Sequence, residues 1–313
     1  MQEAPYGKRC PRPTLRVCLL CLGSIILVGI LKTPLDSLWS IDCSPPLACD
    51  QISSDISDAM SGRKERLKQD DPRLIEKIRT QYLDPPSLQP YQLTVGDDPS
   101  QGQSSAIRKI MGEFRDGFFV ECGALDGETR SNSLVFEKTL GWRGLLIEGD
   151  PKNYELVRKK NRKAWTVGAC LSTKPYPHSV MFEQQFNLGK ISSNDVDFTL
   201  NMTGVIAVQC LPLYSLLLAL NVTTVHYFSL DVEGFELEVL KTIPWDKIDI
   251  QTLSVEYIHG SWSKLELKHY MKQRNYWSYN EVALPEGWGN DFIFVKNTYK
   301  KKIDYLKSSL RLE

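Results

Sequence analysis

The sequence predicts an α/β fold, a doubly wound and mostly parallel sheet, behind a single N-terminal transmembrane helix. Two observations carry the sheet. From Gly117 onward short apolar runs alternate with stretches of helical periodicity, and such alternation puts helices on both faces of a parallel sheet. The runs are too short for helices and several end in glycine or acid, as buried strands do. A third observation carries the transmembrane helix. Residues 17–31 read VCLLCLGSIILVGIL, without a charge, behind Lys8, Arg9, Arg12 and Arg16.

Composition narrows function by exclusion. Of 313 residues, 42% are hydrophobic and 24% charged, which rules out a wholly disordered chain. Lys+Arg and Asp+Glu balance at 38 each. Non-specific nucleic-acid binding rests on a surplus of cations, so no nucleic-acid partner is expected. The eight cysteines do not fall into paired C-x-x-C spacing, the pattern of structural zinc, and no metal site is expected.

Taken from the N-terminus, the apolar run spans about 22 Å as a helix, short of the roughly 30 Å hydrocarbon core. A cleaved signal peptide needs small residues around its cut site. After Leu31 the chain offers Pro34, Asp36, Trp39 and Pro45-Pro46 instead, so a signal-anchor over 17–33 is the stronger reading. Positive charge stays cytosolic. Residues 1–16 then form a cytosolic tail and the bulk of the chain is lumenal, a single-pass type II arrangement. Short spans suit thin early-secretory membranes, which points to endoplasmic reticulum or Golgi membrane, with endosomes a further station. Asn201-Met-Thr and Asn221-Val-Thr are glycosylation acceptor patterns on the side the anchor places in the lumen. Cys43 and Cys49 either close a small disulfide loop in an oxidising compartment or remain two free thiols.

Residues 34–103 read as a lumenal stalk with one short helix. Asp71-Pro72 opens that helix, Leu74, Ile75 and Ile78 give it an apolar face, and Pro85-Pro86 stops it. Residues 104–298 form the folded domain, and 299–313 a C-terminal tail. Within the domain, strands are expected at 118–124, 144–148, 164–171, 225–230 and 250–256, with a closing pair at 277–282 and 291–295. Helices are expected at 131–140, 151–160, 213–220, 235–242 and 264–274. Cys122 packs inside the first strand. Cys170 and Cys210 both end strands, and whether they bridge stays open.

In such a sheet, ligands bind beyond the carboxyl ends of the strands at the switch point. The first strand ends Glu121-Cys-Gly123-Ala124-Leu-Asp-Gly127, a glycine turn that lets a ligand approach the backbone or simply turns the chain. It is not the dinucleotide G-x-G-x-x-G, because Leu125 holds the second glycine's place. Glu148 ends the second strand 21 residues after Gly127, a distance at which an acid binds ribose hydroxyls; otherwise it is a surface or cap carboxylate. Asp231 ends the fourth strand as a catalytic or ligand-orienting acid, or as the cap of the next helix. Glu236 and Glu238 read as solvated helix positions. His259, behind the fifth strand, is either a base in a rim loop or a structural histidine.

Residues 119–133 (FVECGALDGETRSNS), 145–151 (LLIEGDP) and 227–245 (YFSLDVEGFELEVLKTIPW) resemble the FkbM-type methyltransferase domain. Residues 71–86, Asn187-Leu188-Gly189, 213–220 and 291–296 add a closer resemblance to the Star family of invertebrate membrane proteins. The first resemblance implies a class I methyltransferase (Rossmann-like) sheet, S-adenosylmethionine in the nucleoside site and methyl transfer to oxygen. By position, Glu121, Gly123, Ala124 and Gly127 would meet the cofactor, and Glu148 its ribose. Asp231 and Glu233, in the family's D-x-E-G, would face the reacting end, with His259 as a further catalytic candidate. Gly149-Asp150 departs from the Glu-Pro often found there, which loosens the expected ribose geometry. The second resemblance implies a type II protein of the secretory pathway that assists export of membrane-bound EGF-receptor ligand precursors. Trafficking on a methyltransferase fold is the leading expectation, and a lumenal O-methyltransferase the alternative. A Golgi glycosyltransferase would want Asp-x-Asp, which Asp231-Val-Glu233-Gly does not supply.

Overall fold

The computed structural model of the chain describes residues 66–193, 203–283 and 290–300. The expected anchor, Cys43 and Cys49, and Asn201 lie outside the described residues. Among the described residues no helix is long and apolar enough to cross a membrane.

The expected stalk helix is present as α1 (Pro72–Lys77), with the Asp71 side chain accepting from the Arg73 amide. It runs into a π-turn (Ile78–Tyr82) and a short strand β1 (Leu83–Asp84). This segment does not stand apart from the domain. Leu67, Leu74, Ile78 and Leu83 join the main hydrophobic core, and β1 pairs antiparallel with β4 (Trp165–Gly168) at the sheet edge. A second helix, α2 (Gln103–Met111), precedes the first long strand; the sequence reading had placed none there.

The large sheet has eight strands in the order β1-β4-β3-β2-β9-β10-β12-β11. Its centre is parallel and buried toward the carboxyl ends of the strands: β2 (Phe118–Cys122), β3 (Arg143–Glu148), β9 (Thr224–Leu230) and β10 (Asp249–Glu256). The expected closing pair is present as β11 (Tyr276–Ala283) and β12 (Asn290–Lys296), and it is antiparallel. Alternate residues of each central strand face opposite layers, as the two-residue period of a strand requires. Val120 and Cys122 enter one core with α1, α5 (Leu213–Ala219), α6 (Glu236–Thr242) and α7 (Lys264–Gln273). Phe119 enters the other with α2, α3 (Leu134–Leu140) and α4 (Pro151–Lys159). The fold is therefore mixed α/β, with helices on both faces of one large sheet.

Two departures from the sequence reading matter for the site. The expected strand 164–171 breaks after Gly168: β4 stays in the large sheet, while β5 (Cys170–Leu171) pairs with β8 (Val205–Leu211) in a separate sheet ordered β5-β8-β6-β7. Gly168 lies under the Tyr154 ring, 2.6 Å from where a Cβ would stand, so the chain passes α4 there with no room for a side chain. The other two strands, β6 (His178–Glu183) and β7 (Lys190–Ser193), had not been anticipated. Cys170 and Cys210, opposite one another in register, form a disulfide, and Cys122 is a buried free thiol.

Candidate functional site

Register brings the site together. Cys122 lies opposite Ile147 and Leu230, and Leu230 opposite Val255. The next residues on each strand, Gly123, Glu148, Asp231 and Glu256, therefore emerge along one edge, where the order reverses between β2 and β9. A cleft enclosing about 940 Å³, including its open mouth, sits there, walled on one side by strand ends and on the other by Phe182 and Ile191 of the small sheet and Phe186 of the turn between their strands.

The glycine turn brings its backbone to the cleft. Gly123 has φ +84°, and a Cβ there would stand 2.2 Å from the Asp231 carbonyl oxygen, so glycine alone permits this approach. Beyond it, the Leu125 amide donates to Glu148 Oε2 and the Asp150 amide to Oε1, both at 2.8 Å. Glu148 is thus clamped at the cleft wall, 6% exposed. Burial pushes its carboxyl up to about 7, against those two amides and with the charges of Asp150 and Asp231 adding to the rise.

The remaining expected cofactor residues divide between the wall and its support. Glu121 lines the cleft, yet its carboxylate is held by its own loop: Ser131 Oγ (2.8 Å), the Asn132 amide (2.6 Å) and Ser133 Oγ (2.5 Å) donate to it. Those bonds draw residues 131–133 out of the expected helix, so α3 starts only at Leu134. Ala124 is buried behind the turn, and Gly127 packs on α4, where a Cβ would stand 3.2 Å from Val157 Cα. The loop is braced from beneath by Arg162, which donates to Glu137 Oε2, the Gly127 carbonyl and Ser133 Oγ.

A second cavity of about 930 Å³ adjoins the first, and Arg130, Asn132, Asn187, Asp231 and Glu233 line both. Its floor is acidic. Glu233 and Gly234 take left-handed conformations, φ +56° and +106°, and a Cβ on Gly234 would stand 2.6 Å from the His259 carbonyl oxygen. This turn holds Glu233 Oε2 2.7 Å from His259 Nδ1, with Glu256 Oε2 at 3.1 Å from the same nitrogen. Asp231 and Glu256 hydrogen-bond one another. Like charge crowded out of water favours protonated forms. Burial and then the Asp231 charge push Glu233 to about 8, Glu236 to about 8 and Asp291 to about 7. Glu256 is raised furthest, by burial and then by four neighbouring acids, Asp231, Glu236, Glu233 and Asp291. His259 is lowered by burial and by Lys190, which suits a neutral imidazole beside carboxyls that hold protons.

Several expectations change here. Asp231 does not cap α6, whose N-cap is Phe235 with no side-chain cap bond. Glu236 is not solvated: it is 0% exposed, and its Oε1 accepts the amides of Val232 (2.9 Å) and Gly234 (3.1 Å), pinning the turn. Glu238 is half-buried. His259 is neither isolated nor in the core; it stands at the rim with two carboxyl partners. Sequence reasoning missed Arg130 and Asn132, which line both cavities, and the wall from the small sheet. Asn187-Leu188-Gly189 was the available signal for that wall.

Both buried acceptors at the junction, Asn132 Oδ1 and Asp231 Oδ1, lack a hydrogen-bond partner among the described residues. Together with Glu148 they make a donor-seeking set suited to a ligand with ribose hydroxyls and an ammonium group. S-adenosylmethionine carries both, so the residues present fit it.

A solved structure of the methyltransferase FkbM from Methylobacillus flagellatus KT is similar at 17% identity and a TM-score of 0.40, over 58% of this chain and 44% of its own. The chain thus spans under half the length of that protein. No curated protein matches. The family model for the methyltransferase FkbM domain matches residues 121–277, from the glycine turn through every strand end that builds the cleft. The chain belongs to the FkbM methyltransferase domain family.

Proposed function

We propose that this protein is an S-adenosylmethionine-dependent O-methyltransferase of class I type, with the cofactor in the first cavity and a hydroxylated acceptor in the second. The observation that carries the reading is Glu148: a buried carboxylate fixed by two amides at the carboxyl end of β3, facing a switch-point cleft. S-adenosylmethionine supplies an electrophilic methyl group when bound. Glu148 accepts from the two ribose hydroxyls, and Asn132 Oδ1 and Asp231 Oδ1 accept from the ammonium end. Phe182 and Phe186 cover the cleft and exclude water. The acceptor's hydroxyl proton passes to His259, whose Nδ1 is turned to the carboxyls and leaves Nε2 to take it, while Glu233 orients the ring.

The export role implied by the Star resemblance gains no support from the site or from the family, and catalysis takes its place. A lumenal position for the domain is supported by the Cys170–Cys210 disulfide, which needs an oxidising compartment, and by the exposed acceptor Asn221.

Thermal unfolding of the full chain with S-adenosylhomocysteine tests the site. A ligand at about one hundred times its Kd adds roughly 2.7 kcal/mol of stability, so Tm rises by several degrees in the parent and not in Glu148→Ala. An unchanged Tm at millimolar ligand contradicts the proposal.

A further inference from the structure

The second cavity holds more carboxyl groups than one proton transfer requires. Ligating atoms of Glu233, Glu256 and His259 lie within 4.8 Å of one another, and so do those of Asp231, Glu236 and Glu256. Two ligands of a single cation, each roughly 2.0–2.6 Å from it, cannot stand farther apart than about twice that distance. In the first triplet His259 Nδ1 stands 2.7 Å from Glu233 Oε2 and 3.1 Å from Glu256 Oε2, inside the roughly 4 Å limit of the smaller cations, and the two triplets share Glu256. The first is not merely acidic: an imidazole nitrogen is aimed between two carboxylates. A separate observation comes from behind it. Glu236 is 0% exposed, its Oε1 is engaged by two amides, and its Oε2 has no hydrogen-bond partner among the described residues; it belongs to the second triplet, which is joined to the first through Glu256. Buried carboxylate oxygens are normally satisfied by a donor or a cation.

We propose that Glu233, Glu256 and His259 bind a divalent cation of the Mg²⁺ or Mn²⁺ class at the floor of the second cavity, with Asp231 and Glu236 as the carboxylates behind it. Oxygen donors with one imidazole favour a hard cation of this kind. The left-handed turn at Glu233-Gly234, packed on the His259 backbone, fixes the spacing between the loops that carry two of the ligands. Positions on the ion not filled by protein open to the cavity, where an acceptor with paired hydroxyls can complete them. That use of the ion rests on the methyl-transfer reading; the binding of the ion does not.

The probe is Mn²⁺ added to the full chain, followed by electron paramagnetic resonance and spin-echo modulation from an imidazole nitrogen. The expected result is one site with Kd on the order of 10⁻⁴ M or tighter, a nitrogen modulation, and displacement by excess Mg²⁺. His259→Ala should lose the modulation, and Glu233→Gln should weaken binding by about tenfold or more, with circular dichroism unchanged in both. Absence of saturable Mn²⁺ binding in the folded parent overturns the proposal, as does a modulation that survives in His259→Ala. Mn²⁺ binding without S-adenosylhomocysteine binding leaves the ion site standing and removes the methyltransferase. The reverse pattern removes only the ion.

Discussion

Glu148 shows how one residue links burial to ligand binding. Its carboxyl titrates at about 7 because burial outweighs two amide hydrogen bonds. A carboxyl raised in the folded state contributes stability that is full below the ordinary glutamate range and is lost as pH rises through about 7. In the proposed binding mode ribose hydroxyls donate to the ionised form and so reverse the preference. Affinity for S-adenosylhomocysteine should therefore rise with pH, by up to about tenfold per unit below 7, and flatten above it. Glu148→Gln should bind weakly with no such slope. Calorimetry across about pH 5.5 to 8.5 distinguishes this from a merely structural carboxyl, for which the slope would be absent in both proteins. The sequence spacing found this residue because strand end and acid lie close along the chain. It did not find Glu236 buried, because an acid in a first helical turn looks the same from sequence whether it faces water or folds back on its own turn.

Among the elements, the loop from Gly123 to Ser133 depends on a buried ion pair. Arg162 and Glu137 side chains are 0% and 1% exposed and stand 3.0 Å apart. Breaking a buried pair on one side costs about 3–5 kcal/mol. Arg162→Met should lower stability by that amount in denaturant unfolding and loosen the loop in hydrogen exchange. Glu137→Leu added to it should restore part of the loss, and strict additivity would contradict the account. The parallel strands were legible because each is a short run rich in apolar and β-branched residues that ends in glycine or acid, and their helices because apolar residues recur at helical spacing. The small sheet was not, since β6 and β7 mix polar with apolar residues, and β5 meets β8 only across a separation of 40 residues. The break after Gly168 hid the point where the chain changes sheets. The short helix at Pro72 was read correctly, but its attachment was not: Ser215 Oγ donates to the Gln69 carbonyl and Arg79 to the Ala219 carbonyl, contacts that local sequence does not announce.

For the whole molecule, placement and chemistry are separate questions. Asn221 is exposed, in a left-handed conformation just after α5. If the domain is lumenal, this residue carries a glycan, and endoglycosidase treatment should shift the mobility of the parent chain but less that of Asn221→Gln. A mobility unaffected by the enzyme would contradict that placement and leave the catalytic reading intact. The catalytic reading rests instead on two adjoining cavities at the carboxyl edge of one sheet, one suited to a nucleoside and the other acid-floored. Calorimetric titration of the full chain with S-adenosylhomocysteine at neutral pH tests it most directly. The account predicts saturable heat at one site per chain, lost in Glu148→Ala while the variant stays folded. Saturable heat that persists in Glu148→Ala, or no heat at millimolar ligand with a folded parent, would contradict it.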